Sequence, residues 1–339
     1  MKVDFHFHLE EGPYSTSWLQ RTARAMETLH RHNGESPDSV SLPEATHTLI
    51  WIKQLMSMLQ ERTDKGCFDI EWLSLYLKQG RQQGISHFGI VDHLYRFSEF
   101  RPYYERHMTL DDSPLGKAQR HWLDRVCMSS IESFVDVVRE AQHRGYPISL
   151  GIEADYFPNG EVELGELLGR YELDYVIGSV HFLDGWGFDN PNLKDRFREK
   201  DLTALYRQFF DCVKAAASSG LFDIIAHLDN LKVFNYRPDE HILLPMYEDV
   251  ARTLKQANVA TEVNTGLAYR YPVKEMCPSP AFLNILHQHG VPLTLSSDAH
   301  FPDDLGTMLD EAIALISNVG YTEIVYYKER ERIYVDLID

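Results

Sequence analysis

Short apolar segments recur along the chain, and most of them end in polar residues. The first, VDFHFHL at 3–9, alternates apolar and polar positions, so its two histidines share one face at the period of a β-strand. Longer stretches with helical periodicity separate these segments; one of them ends at Gly145, and Pro147 prevents its continuation. The pattern predicts seven strands, over residues 3–9, 86–94, 148–157, 175–183, 222–230, 259–266 and 291–300.

Strands that alternate with helices are typical of a parallel sheet, and functional residues at the carboxyl ends of such strands are typical of barrels. We therefore predict an α/β fold, a barrel of seven parallel strands. No Ser/Gly-rich linker or internal repeat divides the 339 residues, so we expect a single domain over 1–339. Two stretches exceed what a strand–helix connection needs, a helical insertion at 12–80 and a rim loop at 95–114.

The insertion at 12–80 contains a pattern that predicts a long helix. Ser41 and Glu44 form a capping-box arrangement, an apolar series follows over 49–59, and Gly66 is placed to end the helix. We interpret the insertion as an extra helical layer, with a lid or a homodimer face as the alternatives.

Six of the seven predicted strands carry a histidine or a carboxylate near the carboxyl end. A His-x-His pair alone means little, because the pairs at 30/32 and 287/289 lie in helical stretches. Imidazole and carboxylate ligands without thiolate suit Zn²⁺, Mn²⁺ or Fe, and eight of them at matching strand ends predict a metal site. The candidate ligands are His6, His8, His93, Glu153, His181, His227, Asp298 and His300.

Composition excludes several classes of partner. The formal net charge of −18 repels nucleic-acid phosphates, and no run of Lys or Arg overrides it locally. No apolar run is long enough to span a membrane, and no removable leader is expected because candidate ligands begin at residue 6. The four cysteines are scattered without a Cys-x-x-Cys pair, which predicts a reduced, cytoplasmic protein without a disulfide framework.

The candidate ligands belong to motifs that occur in order along nearly the whole chain. The motifs are His6-Phe-His8, Asp92-His93, a strand that ends in Glu153, Gly178-Ser-Val-His181, His227 and Ser297-Asp-Ala-His300. In this order they resemble the polymerase and histidinol phosphatase (PHP) family, and the stretch 178–191 is most similar to its histidinol-phosphatase branch. The resemblance implies a distorted (β/α)₇ barrel of the PHP type, with helical insertions and a trinuclear metal centre.

The resemblance also implies how the ligands are shared among three divalent ions. The first ion would bind His6, His8, Glu153 and Asp298, the second Glu153, His181 and His227, and the third His93 and His300. The family supplies one more ligand to the third ion shortly after the His-x-His pair; here Glu11 is the candidate and Glu10 the fallback. Glu153 and Asp298 would be the catalytic carboxylates, which bridge the ions or position a hydroxide.

The residues and the resemblance together predict a metal-dependent phosphomonoesterase. A metal-bound hydroxide would attack L-histidinol phosphate and release L-histidinol and phosphate. The alternative is a PHP phosphoesterase that acts on a nucleotide, a sugar phosphate or a phosphotyrosyl protein. An amidohydrolase-like enzyme is disfavoured because no strand ends in a suitably placed lysine, and a non-catalytic metal-binding role is disfavoured because nearly all ligands are present.

Substrate contacts are expected from side chains near the mouth of the predicted site. Arg270, just beyond the sixth strand, is the preferred candidate, because a guanidinium binds phosphate with two parallel hydrogen bonds. The rim loop at 95–114 directly follows His93, so we expect it to form a roof over the site. The other candidates are Asn264, Lys232, Arg237, Arg96 and Arg101.

Overall fold

The structure is a computed structural model, and it describes residues 1–9, 13–31 and 46–337. In chain order the strands are β1 (Val3–Phe7), β2 (His87–Ile90), β3 (Ile148–Asp155), β4 (Tyr175–Ser179), β5 (Phe182–Leu183), β6 (Trp186–Gly187), β7 (Ile224–Ile225), β8 (Ala260–Asn264), β9 (Leu293–Ser296), β10 (Glu323–Lys328) and β11 (Glu331–Asp336). Seven of them form one sheet in the order β1-β2-β3-β4-β7-β8-β9, and every pairing in it is parallel. The predicted seven-stranded parallel fold is therefore confirmed.

The sheet comes close to closing between its first and last strands. Phe7, at the end of β1, forms a parallel bridge with Ala299, just beyond β9. The backbone N–H of His8 donates to the carbonyl of Ala299 at 2.8 Å, and the N–H of Asp298 donates to the carbonyl of His6 at 2.8 Å. The barrel is distorted, because the register of β1 against β2 shifts after Asp4 and β7 has only two residues.

Helices cover the barrel and fill the connections between its strands. Within the described residues they are α1 (Thr16–Arg31), α2 (Leu49–Lys65), α3 (Ile70–Gln82), α4 (Arg101–His107), α5 (Pro114–Val126), α6 (Ile131–His143), α7 (Glu161–Leu168), α8 (Leu202–Ser218), α9 (Glu240–Ala257), α10 (Gly266–Arg270), α11 (Pro280–His289) and α12 (Leu309–Val319). None of these described helices is long and apolar enough to cross a membrane.

The long helix expected in the stretch 12–80 is α2, which begins later than the capping-box pattern indicates. The hydroxyl of Thr48 caps it by accepting a hydrogen bond from the N–H of Trp51 at 3.2 Å. Its predicted end is confirmed, because Gly66 follows the last turn with a φ of 76°. The capping-box residues Ser41 and Glu44 lie outside the described residues.

The stretch 95–114, predicted as a loop, is largely helical. It contains α4, the 3₁₀ helix Ser98–Phe100 and the end of the 3₁₀ helix Leu94–Arg96. Pro102 lies in the first turn of α4, where a backbone N–H has no partner within the helix and its absence costs no hydrogen bond. Tyr103 and Tyr104 are fully buried, so packing of these aromatic rings fixes a segment whose composition resembles that of a surface loop.

The ring of Tyr175 packs across glycines of two neighbouring strands. A Cβ atom on Gly89 in β2 would lie 2.7 Å from the hydroxyl oxygen of Tyr175, and a Cβ atom on Gly151 in β3 would lie 2.4 Å from its ring. The ring is held in place, because its hydroxyl donates to the carbonyl of Phe5 at 3.2 Å and its centroid lies 4.5 Å from the ring of Phe5. The close approach of ring and backbone therefore requires glycine at both positions.

We predict that Gly151→Ala lowers the free energy of unfolding by about 1–3 kcal/mol, because the added methyl group overpacks a buried ring that has no room to move. Gly165→Ala, on the surface helix α7, is the matched control, because its added Cβ atom would meet only the side chain of Leu221, at 3.2 Å. Chemical unfolding of both variants measures the difference. Equal stability of Gly151→Ala and the wild type would contradict this account of the barrel packing.

Candidate metal centre

The carboxyl ends of the barrel strands bring eight of the predicted ligands together. Glu153, on β3, lies at the centre of this group and is 1% exposed. Its Oε2 is 3.2 Å from Nε2 of His6 and 2.8 Å from Nδ1 of His93, while its Oε1 is 3.2 Å from Nε2 of His227. Its two oxygens thus face different histidines, which is the arrangement that a carboxylate bridging two ions needs.

Three groups of side chains within the described chain have ligand atoms close enough to share an ion. In each group the atoms lie within 4.8 Å of one another. The groups are His6, His8 and Asp298; His93, Glu153 and His181; and His8, His93 and His300. His8 and His93 each belong to two of these groups and His227 to none, so the predicted division of the ligands among three ions stays a prediction. Glu10 and Glu11 lie outside the described residues, so the extra ligand proposed for the third ion stays a prediction.

Two buried carboxylates bind the Nδ1 atoms of His6 and His181 and so orient these rings. Nδ1 of His6 donates to Oε2 of Glu262 at 3.0 Å, and Nδ1 of His181 donates to Oδ1 of Asp155 at 2.8 Å. Each of these bonds assigns a proton to Nδ1 and leaves Nε2, which faces Glu153, to bind either a proton or a metal ion. Glu262 also accepts the backbone N–H of His227 at 3.0 Å, and so connects two strands of the site.

The donor set fits divalent cations. Nε2 of His6 lies 3.1 Å from Nε2 of His8, and Nε2 of His181 lies 3.2 Å from Nε2 of His227. With the Nδ1 protons of His6 and His181 directed at carboxylates, lone pairs and the anionic oxygens of Glu153 converge on the same small space. A cation between them resolves this repulsion, and nitrogen and oxygen donors of this kind suit zinc or manganese.

The charges of the centre keep its carboxylates ionised. Burial alone would raise the pKa of Glu153, but the imidazoles of His93 and His6 hold it well below its usual range. Burial likewise opposes ionisation of Asp298, and the Arg270 guanidinium and His8 hold the pKa of that carboxyl well below its usual range. Both carboxylates are therefore available as metal ligands at neutral pH.

Two candidate ligands lie on unusual backbone. His227 has a φ of 24° and Asp298 a φ of 52°, and residues with a Cβ atom rarely adopt such values. Asp4 supports the second of these turns, because its carboxylate accepts the N–H of Ser297 at 2.9 Å and that of Gly306 at 3.0 Å. Strain of this kind persists where the surrounding structure holds a functional side chain in place.

Arg270 is the predicted substrate contact that reaches the centre. It lines a cavity of about 60 Å³ together with candidate ligands, and Nη2 lies 2.7 Å from Oδ2 of Asp298. Its Nη1 lies 2.7 Å from Nδ1 of His300. Asn264 lies behind this group, and its amide donates to Glu262 at 2.9 Å and to Asp298 at 3.3 Å.

The other four predicted substrate contacts are engaged elsewhere and are not among the residues that line the cavity. Lys232 and Arg237 both bind Glu275. Arg96 is buried, with Nε 3.9 Å from Oδ1 of Asp92. Arg101 pairs with Glu105 and Asp124 at the surface.

Three further residues at this site escaped the sequence analysis. Glu262 is the one charged residue of the buried strand β8, and Asp155 lies two residues after Glu153 on β3. Both features are visible in the sequence, but the search for ligands at strand ends did not use them. Asp189 lines the metal cavity, where desolvation raises the pKa of its carboxyl above the ordinary value. Asp189 lies in the stretch 178–191, which is similar to the histidinol-phosphatase branch, and this position was the feature that could have identified it.

Fold and site together define a (β/α)₇-barrel protein with a buried candidate metal centre of histidines and carboxylates. The chain matches the family model described as PHP domain over residues 72–266. A probable histidinol-phosphatase from Deinococcus radiodurans is 36% identical over 212 residues, 60% of this chain and 80% of the relative. A probable histidinol-phosphatase from Schizosaccharomyces pombe is 24% identical over 262 residues, 73% of this chain and 81% of the relative. The chain belongs to the PHP family.

Solved structures share the fold. The crystal structure of histidinol phosphate phosphatase from Lactococcus lactis, complexed with Zn, L-histidinol and phosphate, superposes with a TM-score of 0.61 at 15% identity over 98% of both chains. A putative histidinol phosphatase from Listeria monocytogenes gives a TM-score of 0.53 at 15% identity, over 71% of this chain and 92% of the other. The predictions of a PHP-type barrel and of a PHP-family enzyme similar to histidinol phosphatases are confirmed.

We predict that Glu262→Gln weakens the affinity for Zn²⁺ or Mn²⁺ by about 10–100-fold, because the amide orients His6 less firmly than the carboxylate does. Competition against a chelator measures the dissociation constant. Glu248→Gln is the control, since it removes only a surface pair with His289. An unchanged affinity in Glu262→Gln would contradict the orienting role, whereas Glu153→Gln is expected to lose more affinity than either.

Proposed function

We propose that the protein is a metal-dependent phosphomonoesterase that hydrolyses L-histidinol phosphate to L-histidinol and phosphate. The observation that carries the proposal is the small cavity in which candidate metal ligands and the guanidinium of Arg270 meet. An arginine that faces candidate metal ligands in a small cavity suits a phosphoryl group, which a guanidinium binds with two parallel hydrogen bonds. The relatives in Deinococcus radiodurans and Schizosaccharomyces pombe support the same substrate by their names.

The three ligand groups would hold divalent ions. When bound, such ions acidify water and neutralise the oxygens of a phosphoryl group. The chain's part is to keep Glu153 and Asp298 ionised and to direct the lone pairs of His6 and His181 at the ions, with Glu262 and Asp155 behind them.

Arg270 would bind and orient the phosphoryl group. Its Nε–H is buried and has no acceptor within the described residues, and its two terminal nitrogens face Asp298 and His300. Tyr269 and Tyr271 flank the guanidinium, with ring centroids 5.8 Å and 5.6 Å from its central carbon. This packing restrains the planar group, so that it meets phosphate oxygens with little loss of side-chain entropy.

Asp189 would hold the proton that the departing alcohol takes up. The alkoxide of L-histidinol is a poor leaving group, and a carboxylic acid in the cavity protonates it as the P–O bond breaks. Desolvation raises the pKa of the Asp189 carboxyl above its ordinary value, which is the direction that this role requires.

We predict that Asp189→Asn lowers kcat/KM for L-histidinol phosphate by about 10²–10⁴-fold, the usual contribution of general acid catalysis. Hydrolysis of p-nitrophenyl phosphate should fall far less, because p-nitrophenolate leaves without a proton. Asp195→Asn, on the exposed face of the nearby 3₁₀ helix Pro191–Glu199, is the control. An equal loss for both substrates would refute the role of Asp189 as the acid.

Steady-state phosphate release tests the proposed function itself. We expect the protein loaded with Mn²⁺ or Zn²⁺ to hydrolyse L-histidinol phosphate with a kcat/KM above about 10⁴ M⁻¹s⁻¹, within the usual range of enzymes. p-Nitrophenyl phosphate and a nucleoside monophosphate should be much poorer substrates. Weak release from all three would discard L-histidinol phosphate and favour another phosphoester.

A further inference from the structure

The segment 95–114 reaches the residues behind the candidate metal centre through its helix α4. Two neighbouring tyrosines of this helix, Tyr103 and Tyr104, are fully buried. The hydroxyls of both donate to Asp155, the buried residue on β3 that also accepts the Nδ1 proton of His181. Helix α4 therefore contacts the residue that orients one of the candidate ligands.

The two hydroxyls contact different parts of Asp155. The hydroxyl of Tyr104 donates to Oδ2 of the carboxylate at 2.7 Å, while Nδ1 of His181 lies 2.8 Å from Oδ1. The hydroxyl of Tyr103 donates instead to the backbone carbonyl of Asp155, at 3.1 Å. The carboxylate is thus held between Tyr104 and His181, with one partner on each oxygen, whereas Tyr103 supports only the backbone.

The orientation of Asp155 depends on a single hydroxyl. Within the described residues, Tyr104 and His181 are the two hydrogen-bond partners of its carboxylate. The carboxylate of Glu262, by contrast, has three partners besides His6. They are the backbone N–H of His227, the amide of Asn264 and the hydroxyl of Ser296. Without the Tyr104 hydroxyl, the Asp155 carboxylate would be held only by the histidine that it orients.

The ring of Tyr104 has a fixed position, so its hydroxyl is a firm point of attachment. Four aromatic rings pack around it, with centroids between 5.6 Å and 6.3 Å from its own; they belong to Tyr95, Tyr103, Phe157 and Phe182. Burial raises the pKa of the Tyr104 hydroxyl well above its ordinary value, so the group stays protonated and donates at neutral pH. A hydrogen bond from such a donor to a carboxylate is among the strong ones.

We propose that Tyr104 is a positioning residue of the metal centre. Its hydroxyl fixes the carboxylate of Asp155, and Asp155 in turn holds the ring of His181 with Nε2 toward Glu153. The segment 95–114, expected as a roof over the site, thus supports a ligand from behind. The inference rests on the proposed function as far as its metal centre, and not on the identity of the substrate.

The zinc affinity of Tyr104→Phe tests this role, because the substitution removes the hydroxyl and keeps the ring. We expect competition against a chelator to show at least one zinc ion per chain bound about tenfold more weakly, the lower end of the usual effect of such outer partners. Tyr103→Phe is the matched control: it lies in the same helix, is equally buried and loses a hydrogen bond to the same residue. It should bind zinc as the wild type does.

A double variant tests whether Tyr104 acts through Asp155. In an Asp155→Ala background, Tyr104→Phe should cause no further loss of zinc affinity, because the link to His181 is already gone. Losses that add in the double variant would show that Tyr104 acts by another route and would overturn the proposal.

NMR spectra of the zinc-loaded protein separate positioning from a general loss of stability. The Nδ1–H signal of His181, identified by its absence from His181→Asn, should shift in Tyr104→Phe and stay in place in Tyr103→Phe. The Nδ1–H signal of His6, which is bonded to Glu262, should stay in place in both variants. An unmoved His181 signal in Tyr104→Phe would contradict the proposed role.

The zinc measurements also separate this inference from the proposed function. Wild-type zinc affinity in Tyr104→Phe, or an equal loss in both tyrosine variants, would overturn the role of Tyr104 alone. A wild-type protein that binds zinc but does not hydrolyse L-histidinol phosphate would overturn the proposed substrate alone. Failure of the wild type to bind zinc would overturn both.

Discussion

The structure depends on one carboxylate buried among imidazoles. Glu153 lies in the interior of the barrel, and its charge is stable there only because histidines and the hydroxyl of Ser179, which donates to it at 2.5 Å, surround it. These partners come from β1, β4 and the segments that follow β2 and β7. The ends of these segments must therefore meet around one group, and nearly complete closure of the barrel brings them there.

Further buried carboxylates favour a cation site over a structural ion pair. The acids around the centre are Asp4, Asp92, Glu153, Asp155, Glu262 and Asp298, and all are buried. Arg270 pairs with one of them, Asp298, while Glu262 and Asp155 direct histidine protons away from the centre. Arg270 and Arg96 leave most of this negative charge uncompensated, and divalent ions neutralise lone pairs and charges that collect in this way.

Much of the fold and of the centre followed from sequence periodicity. Alternation in VDFHFHL placed His6 and His8 on a strand, and the recurrence of ligands at strand ends predicted that they would meet. Glu262 and Asp155 escaped because their roles rest on distances between strands, which spacing along the chain does not carry. Arg101 carries a charge that fits a phosphate site, but it pairs with Glu105 within α4 and with Asp124. Asp124 lies within reach only once α4 and α5 have packed.

Anomalous diffraction from crystals of the zinc-loaded protein tests the central claim most directly. The account predicts peaks inside the cavity, within about 2.0–2.2 Å of histidine nitrogens and carboxylate oxygens, with Glu153 in contact with two ions. Zinc bound only at surface histidines, or ions in the cavity that none of the Glu153 oxygens touches, would contradict it.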